Sequence, residues 1–302
     1  MQNLAPIIIF TYNRPQHTRR MLQALENAEL AKDSEVFIFS DGAKNAAAID
    51  AVNRVRAIIR EPWNFKHITI IERDRNIGLA QNVISGVTDI ISRYGKAIVL
   101  EDDLIISKVG LRYFNDALDI YESDDKVMEI SGYMYPVKDA DKLPESFFFR
   151  VATSWGWATW ERAWKLFNPN IDQLTAGFTS EKIKRFSIDN SENFWKQVKE
   201  FKAGKINSWA IRWYLSIFNN HGLVLYPRQS MIQNMGTDGS GTHSDVDNAY
   251  HVELATEPIN EFPKEFEENK AAYEAIKYFY RTRKGSLPQR LIRYIKKLWN
   301  KR

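Results

Sequence analysis

One stretch constrains the fold of this chain more than any other: Lys96-Ala97-Ile98-Val99-Leu100-Glu101-Asp102-Asp103-Leu104-Ile105. An unbroken apolar run of strand length suits a strand buried on both faces, the pattern of a parallel sheet. It ends in three consecutive acids. Carboxylates packed together repel one another in a dry interior, so they require a cation or water. In open α/β sheets the crevice outside the carboxyl ends of the strands is where ligands bind. Oxygen-only ligands favour a hard divalent ion, Mg²⁺ or Mn²⁺, shared with substrate phosphates. The plain alternative is a solvated acidic turn.

The residues before this stretch alternate in the same style. Ala5 to Thr11 reads as a strand. Tyr12-Asn13-Arg14-Pro15 then opens a helix to about Glu29, with Asn13 or a neighbour as its cap and Pro15 in its first turn. Strands are expected at Glu35–Ser40 and His67–Glu72, and helices at 46–60 and 79–93. This β-α-β-α-β-α-β rhythm predicts an α/β fold with a doubly wound, mostly parallel sheet and helices on both faces. Beyond Asp103 the expected helices are 108–122, 180–203, 208–219 and 264–283. Val127–Ser131 and Gly222–Tyr226 read as strands and Phe147–Ala152 as an apolar run. Ser154-Trp155-Gly156-Trp157-Ala158-Thr159-Trp160 reads as the opening of an aromatic helix to about Phe167. The expected organisation is a nucleotide-binding half at 1–103, an acceptor-binding half at 104–260 sharing its core, and a helical extension at 261–302.

Charge is unevenly spread. The formal net charge is +4, yet residues 281–302 carry nine Lys or Arg and no acid, and without them 33 basic residues face 38 acidic ones. A mildly acidic body argues against nucleic acid as a partner. In the tail, Leu287, Leu291, Ile292, Ile295, Leu298 and Trp299 recur at helical spacing after Pro288, with basic residues between them. Such a basic amphipathic helix lies flat on an anionic membrane, or packs its basic face on the acidic body. The absence of Cys excludes disulfides and thiolate metal sites and fits a reducing compartment. No stretch approaches the roughly 20 apolar residues of a membrane span, and Met1–Pro6 lacks the features of a signal peptide. The expected location is cytoplasmic, at the inner membrane face.

In a doubly wound sheet Asp41 and Asp103, each at a strand end, face one crevice. A carboxylate for a pyrimidine N3–H beside a metal-binding carboxylate makes a sensible nucleotide-diphosphate site. Arg14 and Arg75 follow the first and third strands at the same edge, and guanidinium forks suit phosphate oxygens; each alone reads first as a surface ion pair.

With these residues in place the chain resembles the GT-A-fold glycosyltransferases. Thr11-Tyr12-Asn13-Arg14-Pro15, Ser40-Asp41-Gly42, Asn76-Ile77-Gly78, Asn82 and a D-x-D-type motif resemble glycosyltransferase family 2. Val99-Leu100-Glu101-Asp102-Asp103-Leu104, Tyr113-Phe114, Gly156-Trp157 and the order Pro227, Ser230, Asn234, Gly236, Gly239 resemble N-acetylglucosaminyltransferase I. The resemblance covers about residues 5–245. It implies that Asp41 reads the base, Thr11, Asn13 and Arg14 flank the nucleotide diphosphate, and Asp103 ligates Mn²⁺ or Mg²⁺. Glu101 and Asp102 would contact the sugar nucleotide or a metal-bound water. The segment Gly236–His243 would order over the donor, and His243 would be a second metal ligand or a loop histidine bonded to backbone. Trp155, Trp157 and Trp209 would stack on acceptor sugars or pack in the core. Arg212-Trp213 resembles the end of a family 2 acceptor-side motif.

One position departs from the pattern: an acid follows the Trp of the Trp-rich helix in those enzymes, and here Ala210 follows Trp209. An inverting transfer needs a group to take the acceptor proton; Asp238 and Glu161 are the remaining candidates. The implied activity is metal-dependent transfer of a hexosyl or N-acetylhexosaminyl group from a nucleotide-sugar donor to a glycan or lipid-linked acceptor. The competing readings are a sugar nucleotidyltransferase, disfavoured because Tyr12-Asn13-Arg14-Pro15 is not a Gly-rich phosphate loop, and a degenerate glycan-binding protein.

Overall fold

The structure, a computed structural model, describes residues 4–236 and 248–283 of the 302. Its first part follows the expected rhythm: β1 (Ile7–Thr11), α1 (Pro15–Glu26), β2 (Glu35–Ser40), α2 (Ile49–Ile59), β3 (His67–Glu72), α3 (Leu79–Tyr94) and β4 (Lys96–Glu101). Then come β5 (Leu104–Ile106), α4 (Gly110–Ile120), β6 (Val127–Ser131), β7 (Ser146–Phe149), β8 (Trp157–Trp160), α5 (Glu161–Trp164), α6 (Ile171–Thr175) and α7 (Ser180–Phe186). The described part ends with α8 (Phe194–Lys202), α9 (Trp209–Asn219), β9 (Leu223–Pro227), β10 (Ile232–Asn234) and α10 (Lys270–Thr282).

Eight strands form one sheet in the order β3-β2-β1-β4-β8-β6-β9-β7, and β5 and β10 form a separate antiparallel ribbon. β1, β2, β3 and β4 are mutually parallel, as are β6 and β9, whereas β8 and β7 run antiparallel to their neighbours. This is the α/β, mostly parallel, helix-flanked sheet that the sequence implied. Burial explains the composition of the centre: Ile7, Ile8, Ile9, Ile98, Val99 and Leu100 are all at most 1% exposed. Each such side chain contributes about 1.5–3 kcal/mol relative to exposure. The chain enters in the middle, steps outward through β2 and β3, then returns to the other side of β1. The reversal point lies between β1 and β4, and right-handed crossovers place α3 on the face opposite α1 and α2.

Three expectations fail locally. The aromatic helix expected from Ser154 is instead strand β8 followed by the one-turn α5. Alternating Trp157, Ala158, Thr159 and Trp160 are all buried because β8 lies between β4 and β6, covered on both faces. The helix expected over 180–203 is two, α7 and α8, separated at Ile188, Asp189 and Asn190, all at positive φ. Asn13 does not cap α1: Arg14 holds the capping position without a side-chain hydrogen bond, and Pro15 follows it. No helix among the described residues is long and apolar enough to cross a membrane. The expected tail helix lies outside the described residues.

Candidate active site

The crevice at the β1/β4 reversal gathers the first acids. The Asp102 N–H donates to the Phe10 carbonyl at 3.1 Å, which continues the parallel pairing one step past β4. That step turns Asp102 toward the β1–α1 loop, where its Oδ2 accepts from the Tyr12 N–H at 3.2 Å. A single nitrogen, Arg14 Nη2, donates to Asp102 Oδ1 at 2.6 Å and Asp103 Oδ2 at 3.0 Å. The positive charge that the acidic triplet requires is thus present in the chain itself. Both aspartates are buried. Burial pushes Asp102 up to about 6 against the pull of Arg14. It pushes the partly buried Glu101 up to about 8, with Asp103 and Asp102 adding to the rise. Thr11, at the end of β1, buries a hydroxyl with no hydrogen-bond partner among the described residues.

The β5–β10 ribbon closes one side of the crevice. The Met235 N–H donates to the Asp103 carbonyl at 2.8 Å, and Gly236 N–H to Asn234 Oδ1 at 2.6 Å. Gly236 lies so close that a Cβ there would collide with the Asp103 carboxylate. Only glycine lets the backbone approach this way.

Asp41 forms the other wall, in a way the sequence did not reveal. Its Oδ1 accepts from the Gly42 N–H at 2.9 Å and the Ile77 N–H at 3.0 Å. Its Oδ2 accepts from Asn76 Nδ2 and the Gly78 N–H, both at 3.0 Å. A carboxylate offers about four acceptor sites, and all four are used. The base-reading role expected of Asp41 therefore meets a carboxylate already committed to shaping the loop before α3. Gly42 belongs to the same clasp, since a Cβ there would strike the Arg75 backbone. The Arg75 side chain is exposed at the rim and Asn13 is half-buried beside Arg14.

Other expected site residues lie elsewhere. Glu161 follows β8, and its N–H donates to the Gly95 carbonyl at 2.7 Å. Gly95 precedes β4, so Glu161 sits at the opposite end of that strand from Asp103, and its carboxylate pairs with Lys165 at 3.0 Å. As placed, it is no candidate for proton transfer at the crevice. Trp157 and Trp209 stack on each other at 5.1 Å and are 1% and 3% exposed, leaving no face for a sugar. Arg212 is buried as well, donating to the Ser208 carbonyl and Asn207 Oδ1 and lying over the Phe201 ring. Trp155 is half-buried, edge-on to Tyr133 and Tyr250. Trp157 and Trp209 pack apolar aromatic surface on aromatic surface, Arg212 is tied to its own helix end and the Phe201 ring, and Trp155 keeps part of its surface exposed. Asp238 and His243 lie outside the described residues.

Glu129 was missed. It sits within β6, fully buried, accepting from the Thr153 N–H at 2.8 Å and Trp213 Nε1 at 2.6 Å. Burial pushes it up to about 8. Its signal in the sequence is one acid inside the apolar run Val127-Met128-Glu129-Ile130.

Among the described residues, no group of three His, Cys, Asp or Glu side chains is placed to hold a metal ion. Two carboxylate oxygens do converge on one cationic nitrogen at Arg14. Mg²⁺ and Mn²⁺ are commonly held by one or two carboxylates with substrate phosphates and water completing the shell. Asp102 and Asp103 fit that shared mode and not an all-protein cage.

The sequence matches no family model and no curated protein. Solved structures similar in fold include a mannosyltransferase from Pyrobaculum calidifontis in complex with GDP-Man and Mn²⁺, at 13% identity, TM-score 0.39, covering 73% of this chain and 77% of that one. S. aureus TarS 1-349 is similar at 11% identity and TM-score 0.44, covering 76% of this chain and 59% of that one. A second S. aureus TarS structure is similar at 10% identity and TM-score 0.39, with 76% and 36% covered. Likeness of this degree says nothing of donor, acceptor or metal.

Proposed function

We propose that this chain is a glycosyltransferase that moves a hexosyl or N-acetylhexosaminyl group from a UDP-sugar to a glycan or lipid-linked acceptor in surface polysaccharide assembly. One observation carries the reading: a single guanidinium nitrogen spans two carboxylates at the reversal point of the sheet, where open α/β folds bind ligands. A donor diphosphate offers Arg14 a bidentate partner and leaves Asp102 and Asp103 facing the same phosphates. A divalent cation bound there would neutralise charge on the leaving diphosphate. The spare Thr11 hydroxyl and exposed Arg75 are proposed as further phosphate contacts, with Glu101 toward the sugar. Asp238 is the proposed proton acceptor, and His243 a metal ligand. The basic tail is proposed to rest on an anionic membrane, where a lipid-linked acceptor resides; co-sedimentation with anionic but not neutral liposomes tests it.

The direct test is a hydrolysis screen over nucleotide sugars with Mn²⁺ or Mg²⁺. Release of UDP from a UDP-sugar supports the proposal. Consumption of a sugar phosphate and nucleoside triphosphate with pyrophosphate release assigns a nucleotidyltransferase instead. Donor binding without turnover, with or without added glycans, leaves a binding protein.

A further inference from the structure

Asp102 and Asp103 are buried, adjacent in sequence and of like charge. Two carboxylates so placed do not both stay ionised without a cation. Among the described residues, Arg14 is the only cation paired with either of them. The pairing uses one nitrogen and not the guanidinium fork: Nη2 donates to Asp102 Oδ1 at 2.6 Å and to Asp103 Oδ2 at 3.0 Å.

Neither aspartate has much room to turn away. The Asp103 Oδ2 is the atom that a Cβ at Gly236 would strike, so the ribbon backbone walls it on that side. The Asp103 carbonyl accepts from the Met235 N–H at 2.8 Å. Asp102 Oδ2 is engaged by the Tyr12 N–H at 3.2 Å, which leaves Oδ1, the oxygen already on Arg14. A divalent ion shared by both carboxylates therefore needs the space that Nη2 fills.

Arg14 is positioned to give up that space through its side chain alone. Its backbone is fixed, since Pro15 follows it and its carbonyl accepts from the Thr18 N–H and Thr18 Oγ1, both at 3.0 Å. Its side chain keeps 21% of its surface exposed, so the guanidinium is open to an anion in the crevice.

We propose that Arg14 is an internal counter-ion that keeps a divalent cation off Asp102 and Asp103 until a diphosphate draws the guanidinium away. Arg14 and the cation are alternative neutralisers of one carboxylate pair. A diphosphate accepts the guanidinium fork, and it also brings negative charge that the two aspartates repel unless a cation joins them. Diphosphate and cation therefore bind together well and singly poorly. By linkage each raises the affinity of the other by the same factor. A monophosphate has one phosphoryl group to divide between Arg14 and the cation, so it couples them less. That the diphosphate belongs to a sugar nucleotide rests on the transferase reading; the exclusion of the cation by Arg14 does not.

The test is Mn²⁺ binding to the full-length protein, read by electron paramagnetic resonance of the free ion. It is measured without ligand and with UDP, UMP or inorganic pyrophosphate, and protein-free titrations account for the Mn²⁺ that each ligand holds in solution. Native protein should bind Mn²⁺ at least about tenfold more tightly with UDP or pyrophosphate than without, and UMP should give a smaller gain. Arg14→Gln, checked for folding by circular dichroism, should bind Mn²⁺ alone at least about tenfold more tightly than native protein and lose most of the gain from UDP. Arg14→Lys, which keeps the charge, should bind Mn²⁺ alone as weakly as native protein does; with the native arms it decides the matter if Arg14→Gln does not fold. Equal Mn²⁺ affinity with and without diphosphate in native protein, unaltered affinity in folded Arg14→Gln, or tight Mn²⁺ binding by Arg14→Lys would each overturn the proposal. A gain from pyrophosphate with none from UDP would uphold this role for Arg14 and count against the nucleotide donor, so the two failures are distinguishable.

Discussion

At the scale of single residues, the crevice is held by two carboxylate clasps with different electrostatics. Asp102 depends on a cation. Breaking a buried pair by removing one partner costs on the order of 3 kcal/mol, because the other charge is left without compensation. Arg14→Gln should lose about that much in urea unfolding, and adding Asp102→Asn should restore most of it. A neutral Arg14→Gln would show that water already compensates Asp102. Asp41 depends on neutral donors alone, three of them backbone N–H groups. Asp41→Ala leaves these unsatisfied at about 1–3 kcal/mol each. It should speed amide exchange at Ile77 and Gly78 while leaving exchange in β1 unchanged; equal protection in variant and native protein would contradict the clasp.

At the scale of elements, β6 carries the least expected group, a buried glutamate without a cation. The Glu129 carboxyl is held at about 8 in the folded chain, against about 4.3 for an exposed glutamate. Between those values the folded form binds a proton that the unfolded chain has released. The contribution is therefore complete below about pH 4 and is lost as pH rises through 8. The loss is on the order of 5 kcal/mol, from about 1.4 kcal/mol for each pH unit. Glu129→Gln should flatten the dependence of stability on pH across that window; an unchanged slope would place the titrating group elsewhere. β8 teaches a related lesson. Trp157 and Trp160 favour no period when every face is covered, so their pattern fits helix and strand equally.

At the scale of the whole molecule, β8 joins the two halves of the chain. It pairs with β4 of the first half on one side and β6 of the second on the other. Cutting at residue 103 would expose the apolar edge of β4. Calorimetry of the full chain should therefore show one cooperative transition, and a fragment ending at 103 should not fold alone. Two separate transitions would mean that the halves hold independent cores.

The sequence by itself determined the parallel β1–β4 sheet, because strands buried on both faces must be continuously apolar and helices between them must be amphipathic. It also placed Arg14, Asp102 and Asp103 at one edge, since a strand's end is local information. Only the tertiary structure decided which partner each polar group meets. Asp41 could face a nucleobase or its own loop, and long-range packing of 76–78 chose the loop. Trp157, Trp209 and Arg212 could face a sugar or one another, and the strand order chose the core. Glu161 lost its place because β8 runs antiparallel, which carries the following residue away from the crevice. Local sequence sets what a side chain can do; register and strand direction set what lies within its reach.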